Sequence, residues 1–514
     1  MSIEKNDTLF LLVKSLSKSE KRQFKLYAGR LGGNSEKNFM ALFSVLDKMD
    51  EFNEAMILQK TNIKKQQLSN SKAHLYKQIL VSLKLNPSHR NIKTQLREQL
   101  DFATILYSKG LHKQSLKILD KAKNTALQYN ENNLAFEIVE FEKIIESQYI
   151  TRSLSTRAED LITQSKKLSN STVILSKLSN LSLQLYSTLL NKGYVKTDKD
   201  YEEIKQIFKS NLPDYQISEL GLKERLFLYK AFLWYSLITQ DFVLSYKYAQ
   251  KWVDLFYDNP KMKKNNPVFY LKGINYLLES LFLIQHVSKF RSTLFYLEEE
   301  INQNNFLVNE NTESLAFLYL YSNKINLFFL EGNFNKGIDL IPEVLEEIGT
   351  HKNRIDAHHV MVFNYKFASL YFGAEQYKKS IFYLEKIIHN KELKMREDLV
   401  CFSRILNLVA HYEAGLDQDL DVLIKSTYKF LLKMDELQMV QQKFITFLRS
   451  LGDIYPHELK KAFIQLHKEL KVYENHPYEK RAFIYLDLIS WLESKIENIS
   501  VETIIRRKAA SKYK

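Results

Sequence analysis

The sequence is short of the residues that punctuate a chain: its 514 residues include 13 glycines, 7 prolines and one cysteine. Sheet-rich and α/β folds need many turns and Gly-rich loops. The scarcity therefore points to long helices joined by short connections. A single cysteine excludes an internal disulfide framework and a thiolate zinc cluster, which fits a reducing compartment. That residue, Cys401, lies in the apolar stretch Val400–Leu406 and reads as a small buried hydrophobe. Long apolar runs are missing too. Leu9–Val13 is followed at once by Lys14 and is too short for a signal-peptide core. No stretch approaches the ~18 uninterrupted apolar residues of a membrane span. A cytoplasmic protein with no membrane association is expected.

Chemical motifs are equally scarce. Neither GxxxxGK[ST] nor GxGxxG occurs, so no phosphate-cradling loop is expected, and HExxH is absent. The run Asp417-Gln-Asp419-Leu-Asp421 imitates the first ligands of a calcium loop. It then places Val422 where glycine is needed and Tyr428 where a bidentate glutamate is needed. His351, His358 and His359 cluster without cysteines or converging carboxylates, which argues against a metal site. Serine, histidine and aspartate are too dispersed to define a triad. No catalytic, cofactor-binding or metal-ligating residue is assigned, and an enzyme is not expected.

What is present suits a folded protein: 45% hydrophobic and 26% charged residues. The formal net charge of +14 raises the question of a polyanionic partner. Most of the basic residues are lysine, however, and lysine lacks the planar fork with which arginine grips phosphate.

Residues 1–95 read as a basic helical region. Ser17 and Glu20 form a capping-box start, Gly32-Gly33 a break, and Phe39, Leu42, Phe43 and Leu46 the stripe of the next helix. Asn86-Pro87-Ser88 closes the region. A helix-turn-helix domain and a helical cap on a longer array are both compatible with it.

From residue 96 a pattern recurs: apolar helix, tight break, large side chain, small residue three positions on, second helix. It is clearest at Gly110–His112–Ser115, Gly332–Phe334–Gly337 and Glu375–Tyr377–Ser380. The large residues include His112, Phe242, Phe290, Phe334 and Tyr377; the last three intervals are 48, 44 and 43 residues. Weaker markers fall near Ser155 and Tyr201. A unit that recurs because it cannot bury its own apolar face marks a stacked array. Small residues such as Ser115, Ser245, Ser380 and Gly337 let paired helices approach closely. Pro342 should kink a second helix or move its start.

The chain resembles the tetratricopeptide-repeat family in these positions. Ala103, Leu106, Gly110, His112, Ser115, Leu119 and Ala122 match that pattern, as do Ala368, Tyr371, Tyr377, Ser380 and Leu384. Phe328, Gly332, Phe334, Gly337 and Ile341 fit a third unit. The family repeat is about 34 residues, so these units are long; its second-helix alanine is replaced, as by Val344 and Ile387. The expected fold is all-α: a right-handed α-solenoid of TPR-like pairs over 96–495, preceded by the helical region 1–95 and followed by a basic tail, 496–514.

The resemblance implies a concave peptide-binding face. By the repeat register that face would carry Tyr107, Lys230, Asn326, Phe329, Tyr365, Ser369 and Phe372. The expected function is a non-catalytic scaffold or adaptor that binds a protein or peptide. The alternative is a nucleic-acid-associated regulator, with DNA contacts in the N-terminal helices and ligand sensing in the repeats.

Overall fold

The computed structural model describes residues 7–512 except 31–33, 87–90, 149–155, 305, 308, 351–353, 391–396, 417–419, 435–436, 452–453, 456 and 486. Gly32-Gly33, Pro87-Ser88, Ser155, His351 and Asp417 with Asp419 lie outside the described residues. All regular secondary structure among the described residues is helical, so the chain is all-α. No described helix is long and apolar enough to cross a membrane.

The chain divides into two compact units, 1–157 and 158–514. The first unit is longer than the expected N-terminal region because it keeps three further helices. Leu9 to Ile79 share one buried apolar cluster, which includes Phe24, Leu42, Phe43 and Leu46. Ile92–Ser108, His112–Gln128 and Asn132–Gln148 then pack in succession. The sequence change near residue 95 thus follows the end of a core, not the end of a unit. The capping box at the Lys18–Ala28 helix forms as expected, with Ser17 accepting from the Glu20 N–H.

In the second unit, helices adjacent in sequence pack against each other from Leu222–Ile238 through Phe242–Tyr257, Pro267–Leu283, Val287–Asn302, Glu310–Glu331, Phe334–Asp339, Ala357–Gly373 and Tyr377–Ile388 to Glu397–Glu413. The large marker residues sit at second-helix starts: His112, Phe242, Phe334 and Tyr377 are first residues, and Phe290 falls in the first turn of its helix. The turn before each one is the same. A residue with positive φ ends the first helix: Gly110, Gln240, Gln285, Gly332 and Glu375. The next N–H reaches back five residues: Leu111 to Leu106 O, Asp241 to Ser236 O, His286 to Leu281 O, Asn333 to Phe328 O, and Gln376 to Tyr371 O, at 2.8–2.9 Å. This 6→1 bond is the signature of a Schellman stop.

Small residues lie at the closest helix approaches. Ser115, Ser245 and Ser380 are fully buried, and Ser115 Oγ donates to Ala103 O at 2.8 Å across its pair. A Cβ on Gly337 would lie 2.4 Å from a Leu370 methyl. On Gly373 it would lie 2.5 Å from two atoms of the buried Phe334 ring. Gly373→Ala is therefore expected to lower stability by about 1–3 kcal/mol, since an overpacked ring must move. Gly349, inside the Ile341–Thr350 helix, has nothing within 4 Å of the same position. Gly349→Ala should instead raise stability by about 0.5–1 kcal/mol. Denaturant titration of both variants checks the opposite signs. Pro342 acts as expected: the second helix of its unit breaks at Leu340 and restarts as Ile341–Thr350.

The basic tail expected over 496–514 contains a packed helix. Val501–Lys512 is a helix packed on Glu310–Glu331. Arg506 Nε donates to Gly332 O at 3.1 Å, and Val501 and Ile504 are buried. Apolar residues at helical spacing, Val501, Ile504, Ile505 and Ala509, give this basic stretch a face to bury, which its run of charges concealed. A second return joins Tyr478 to the start of the unit. Its hydroxyl donates to Asp198 Oδ1 at 2.5 Å, while Gln240 Nε2 bridges Tyr478 O and Val195 O at 3.1 and 3.0 Å. The Arg481 guanidinium lies 3.5 Å from the Tyr194 ring centroid. Contacts in this unit therefore do not stop at immediate neighbours.

Candidate functional site

Three helices of the second unit each turn one face toward a common cavity. Asn309 caps the Glu310–Glu331 helix by accepting from Thr312 N at 3.0 Å, and Gly332 ends it. Asp356 starts Ala357–Gly373 by accepting from His359 N at 2.8 Å. Pro267 opens Pro267–Leu283 at its first position, where no N–H is required. With these starts set, residues three or four apart share a face. Asn275, Glu279 and Phe282 come from one helix; Tyr319, Ser322, Asn323, Asn326 and Phe329 from the next; Val362, Lys366, Ser369 and Gly373 from the third.

The cavity has a volume of about 390 Å³, which lies within the roughly 300–1,000 Å³ range of small-molecule sites. Further lining comes from Leu399 and Leu406 of Glu397–Glu413 and from Val501, Ile505, Lys508 and Ala509 of the returning C-terminal helix. Without that return the cavity would lack a wall.

Of the seven residues expected on a concave face, Asn326, Phe329, Tyr365, Ser369 and Phe372 line this cavity together. Tyr365 and Phe372 are largely buried in its wall, and the Ser369 hydroxyl donates to Tyr365 O of its own helix at 2.9 Å. The other two are elsewhere. Tyr107 belongs to the first unit, where its ring stands edge-on to Phe141 at 5.5 Å and to His112 at 5.7 Å. Lys230, on Leu222–Ile238, lies 5.5 Å from the Phe227 ring centroid and does not line the cavity. Burial holds its ammonium below the ordinary lysine value.

The polar edge of the cavity contains Lys366, which the concave-face register did not select. Its Nζ donates to Asn326 Oδ1 and, at 3.4 Å, to Ser322 O, and it lies 5.9 Å from the Phe329 ring centroid. Burial pushes its pKa down to about 8, and Glu279 opposes this only through space. The side chain is deep in the protein and retains partial exposure, because the surface it keeps faces the cavity. From Lys366 the hydrogen bonds continue in one direction. Asn326 Nδ2 donates to Asn323 Oδ1 at 3.3 Å; Asn323 Nδ2 donates to Asn275 Oδ1 at 2.9 Å and to Tyr319 O at 2.8 Å.

The remaining charges on the lining are locally engaged. Asp487 caps its helix by accepting from Ser490 N at 2.9 Å, and Lys508 Nζ pairs with Glu493 at 2.7 Å. His359 Nδ1 lies 2.8 Å from Asp356 Oδ1, beside His358. No group of side chains suited to hold a metal ion exists among the described residues. Cys401 is buried in the core, as its apolar surroundings suggested.

No family model, curated protein or solved structure matches this chain.

Proposed function

We propose that this is a non-catalytic binding protein built from TPR-like helix pairs, whose second unit receives a peptide segment in its cavity. The single observation that carries this reading is the convergence of Asn326, Phe329, Tyr365, Ser369 and Phe372 on one lining. The recurring left-handed stop, the large residue that opens each second helix and the buried small residue after it support the repeat assignment. The volume selects for size: about 390 Å³ admits the end of a peptide or a molecule of similar bulk, and no folded surface. Aromatic walls with a few placed amides favour a hydrophobic segment with fixed orientation.

A displayed random-peptide library panned on the full chain tests this. Wild-type protein should enrich hydrophobic sequences, and Phe329→Asp, at a partly exposed position of the lining, should abolish the enrichment while circular dichroism remains unchanged. Equal enrichment by wild type and variant, or none by wild type, would refute the reading.

A further inference from the structure

We infer that the cavity of the second unit seats a hydrophobic monocarboxylate, its acid group held at Lys366 and its apolar body among the phenylalanines. This deepens the proposed function by naming the chemistry of the ligand, and it rests on the cavity being the binding site.

An ammonium can only donate, so the oxygen of Asn326 must face Lys366. Asn326 then presents its nitrogen to Asn323 Oδ1. Asn323 is fixed independently, because its nitrogen donates to the main-chain carbonyl of Tyr319. Its other donation goes to Asn275 Oδ1. Each of the three amide oxygens thus already accepts one hydrogen bond inside the chain. Donor capacity is left over on the same lining: a third proton on Lys366, the Asn275 amide, the second Asn326 proton and the Ser322 hydroxyl. Three helices converge to make an edge rich in donors, beside the carboxylate of Glu279.

Lys366 completes the case. Its two acceptors, Asn326 Oδ1 and Ser322 O, are both neutral, and Glu279 acts on it without a hydrogen bond. A buried cation held only by neutral acceptors is a site for an anion, since a charge-assisted bond is about twice as strong as a neutral one. Glu279 on the same edge disfavours a second negative charge, which limits the ligand to one. A carboxylate, planar with two acceptor oxygens, spans Lys366 and a neighbouring amide.

Leu399, Leu406, Phe483 and Val501 give the lining an apolar wall that offers no partner to a polar group. The body of the ligand is therefore acyl or aromatic. A free acyl acid and the carboxyl end of a hydrophobic dipeptide share this chemistry.

Four probes separate the sources by calorimetry on the full chain: decanoate, decanamide, acetyl-Leu-Phe and acetyl-Leu-Phe-amide. At least one acid should bind roughly tenfold or more tightly than its amide, a difference of about 1.4 kcal/mol. Lys366→Met should erase that preference. Affinity of the acid should fall as pH rises through about 8, where free Lys366 loses its proton, and stay flat in the variant. Tighter binding of decanoate identifies an acyl acid, and tighter binding of the dipeptide acid a peptide end. Equal affinity of acid and amide, or a preference that survives in Lys366→Met, overturns the inference while leaving peptide binding intact. Failure of all four probes at millimolar concentration also overturns it.

Discussion

Lys366→Met is expected to stabilise the unliganded protein at pH 7, by up to on the order of 3 kcal/mol. The ordinary lysine value is 10.5 and Lys366 sits at about 8, held down by burial. At roughly 1.4 kcal/mol for each pH unit, that gap is the cost of keeping the ammonium charged in the folded protein. The sign follows from proton counting. Between pH 8 and 10.5 the unfolded chain holds the proton more firmly than the folded one, so this residue's penalty shrinks as pH rises. It is fully present below about 8. Methionine nearly matches the volume of the lysine stem and carries no charge to desolvate. Urea titrations of wild type and variant should therefore differ most near pH 7 and converge toward pH 10.5. A variant less stable than wild type at pH 7 would show that the ammonium is satisfied inside the unit. A cavity-facing residue that destabilises its own fold fits the trade-off between stability and function expected of the proposed site.

Lys123→Met is expected to do the opposite, costing about 3–5 kcal/mol. Lys123 is also buried, but in the first unit, where its Nζ lies 2.6 Å from Glu142 Oε2. Glu142 is completely buried, with Arg157 at 3.3 Å and Asp120 close by. Burial raises the Glu142 pKa to about 7, against the opposing pull of Lys123 and Arg157. Removing Lys123 strips that carboxylate of its shortest partner and leaves a buried charge poorly compensated. The variant should lose stability most above pH 7, where Glu142 must ionise, and regain part of it in acid. The double variant Lys123→Met/Glu142→Leu should recover most of the loss, because replacing both members of a buried pair with apolar groups is close to neutral. Additive losses in the double variant would contradict this account.

These two lysines show where the sequence was informative and where it was silent. Both occur in helices with ordinary patterns, and nothing local distinguishes them. Glu142 lies 19 positions from Lys123 on another helix, and the neutral acceptors of Lys366 both come from the Glu310–Glu331 helix. The helix pairs themselves were legible. His112, Phe242, Phe334 and Tyr377 open helices because a large residue after a tight break closes the gap between neighbours. Other breaks were harder to see, since Gln240, Gln285 and Glu375 take the left-handed conformation that Gly110 and Gly332 adopt without strain.

Five residues of the concave-face register line one cavity because positions three and four apart share a helix face. The register missed Lys366, one position after Tyr365, because a buried cation breaks the polarity pattern that such reasoning follows. Tyr107 and Lys230 satisfied the register yet sit elsewhere, since a register says which side of a helix a residue occupies and not which neighbour covers that side. The C-terminal helix was concealed by its charges. Arg506, Arg507 and Lys508 dominate its composition, yet each is paired, with Glu502, Glu497 and Glu493.

The bonds that join Tyr478 to Asp198 and Gln240, and Arg506 to Gly332, carry an evolutionary implication. A row of helix pairs with loose ends can lengthen or shorten by duplication, each new pair docking on the last. Here the late segments fasten to earlier ones, so an added or deleted pair would pull those fastenings out of register. Gain or loss of a whole hairpin between residues 198 and 478 is therefore expected to cost more stability than a substitution within one.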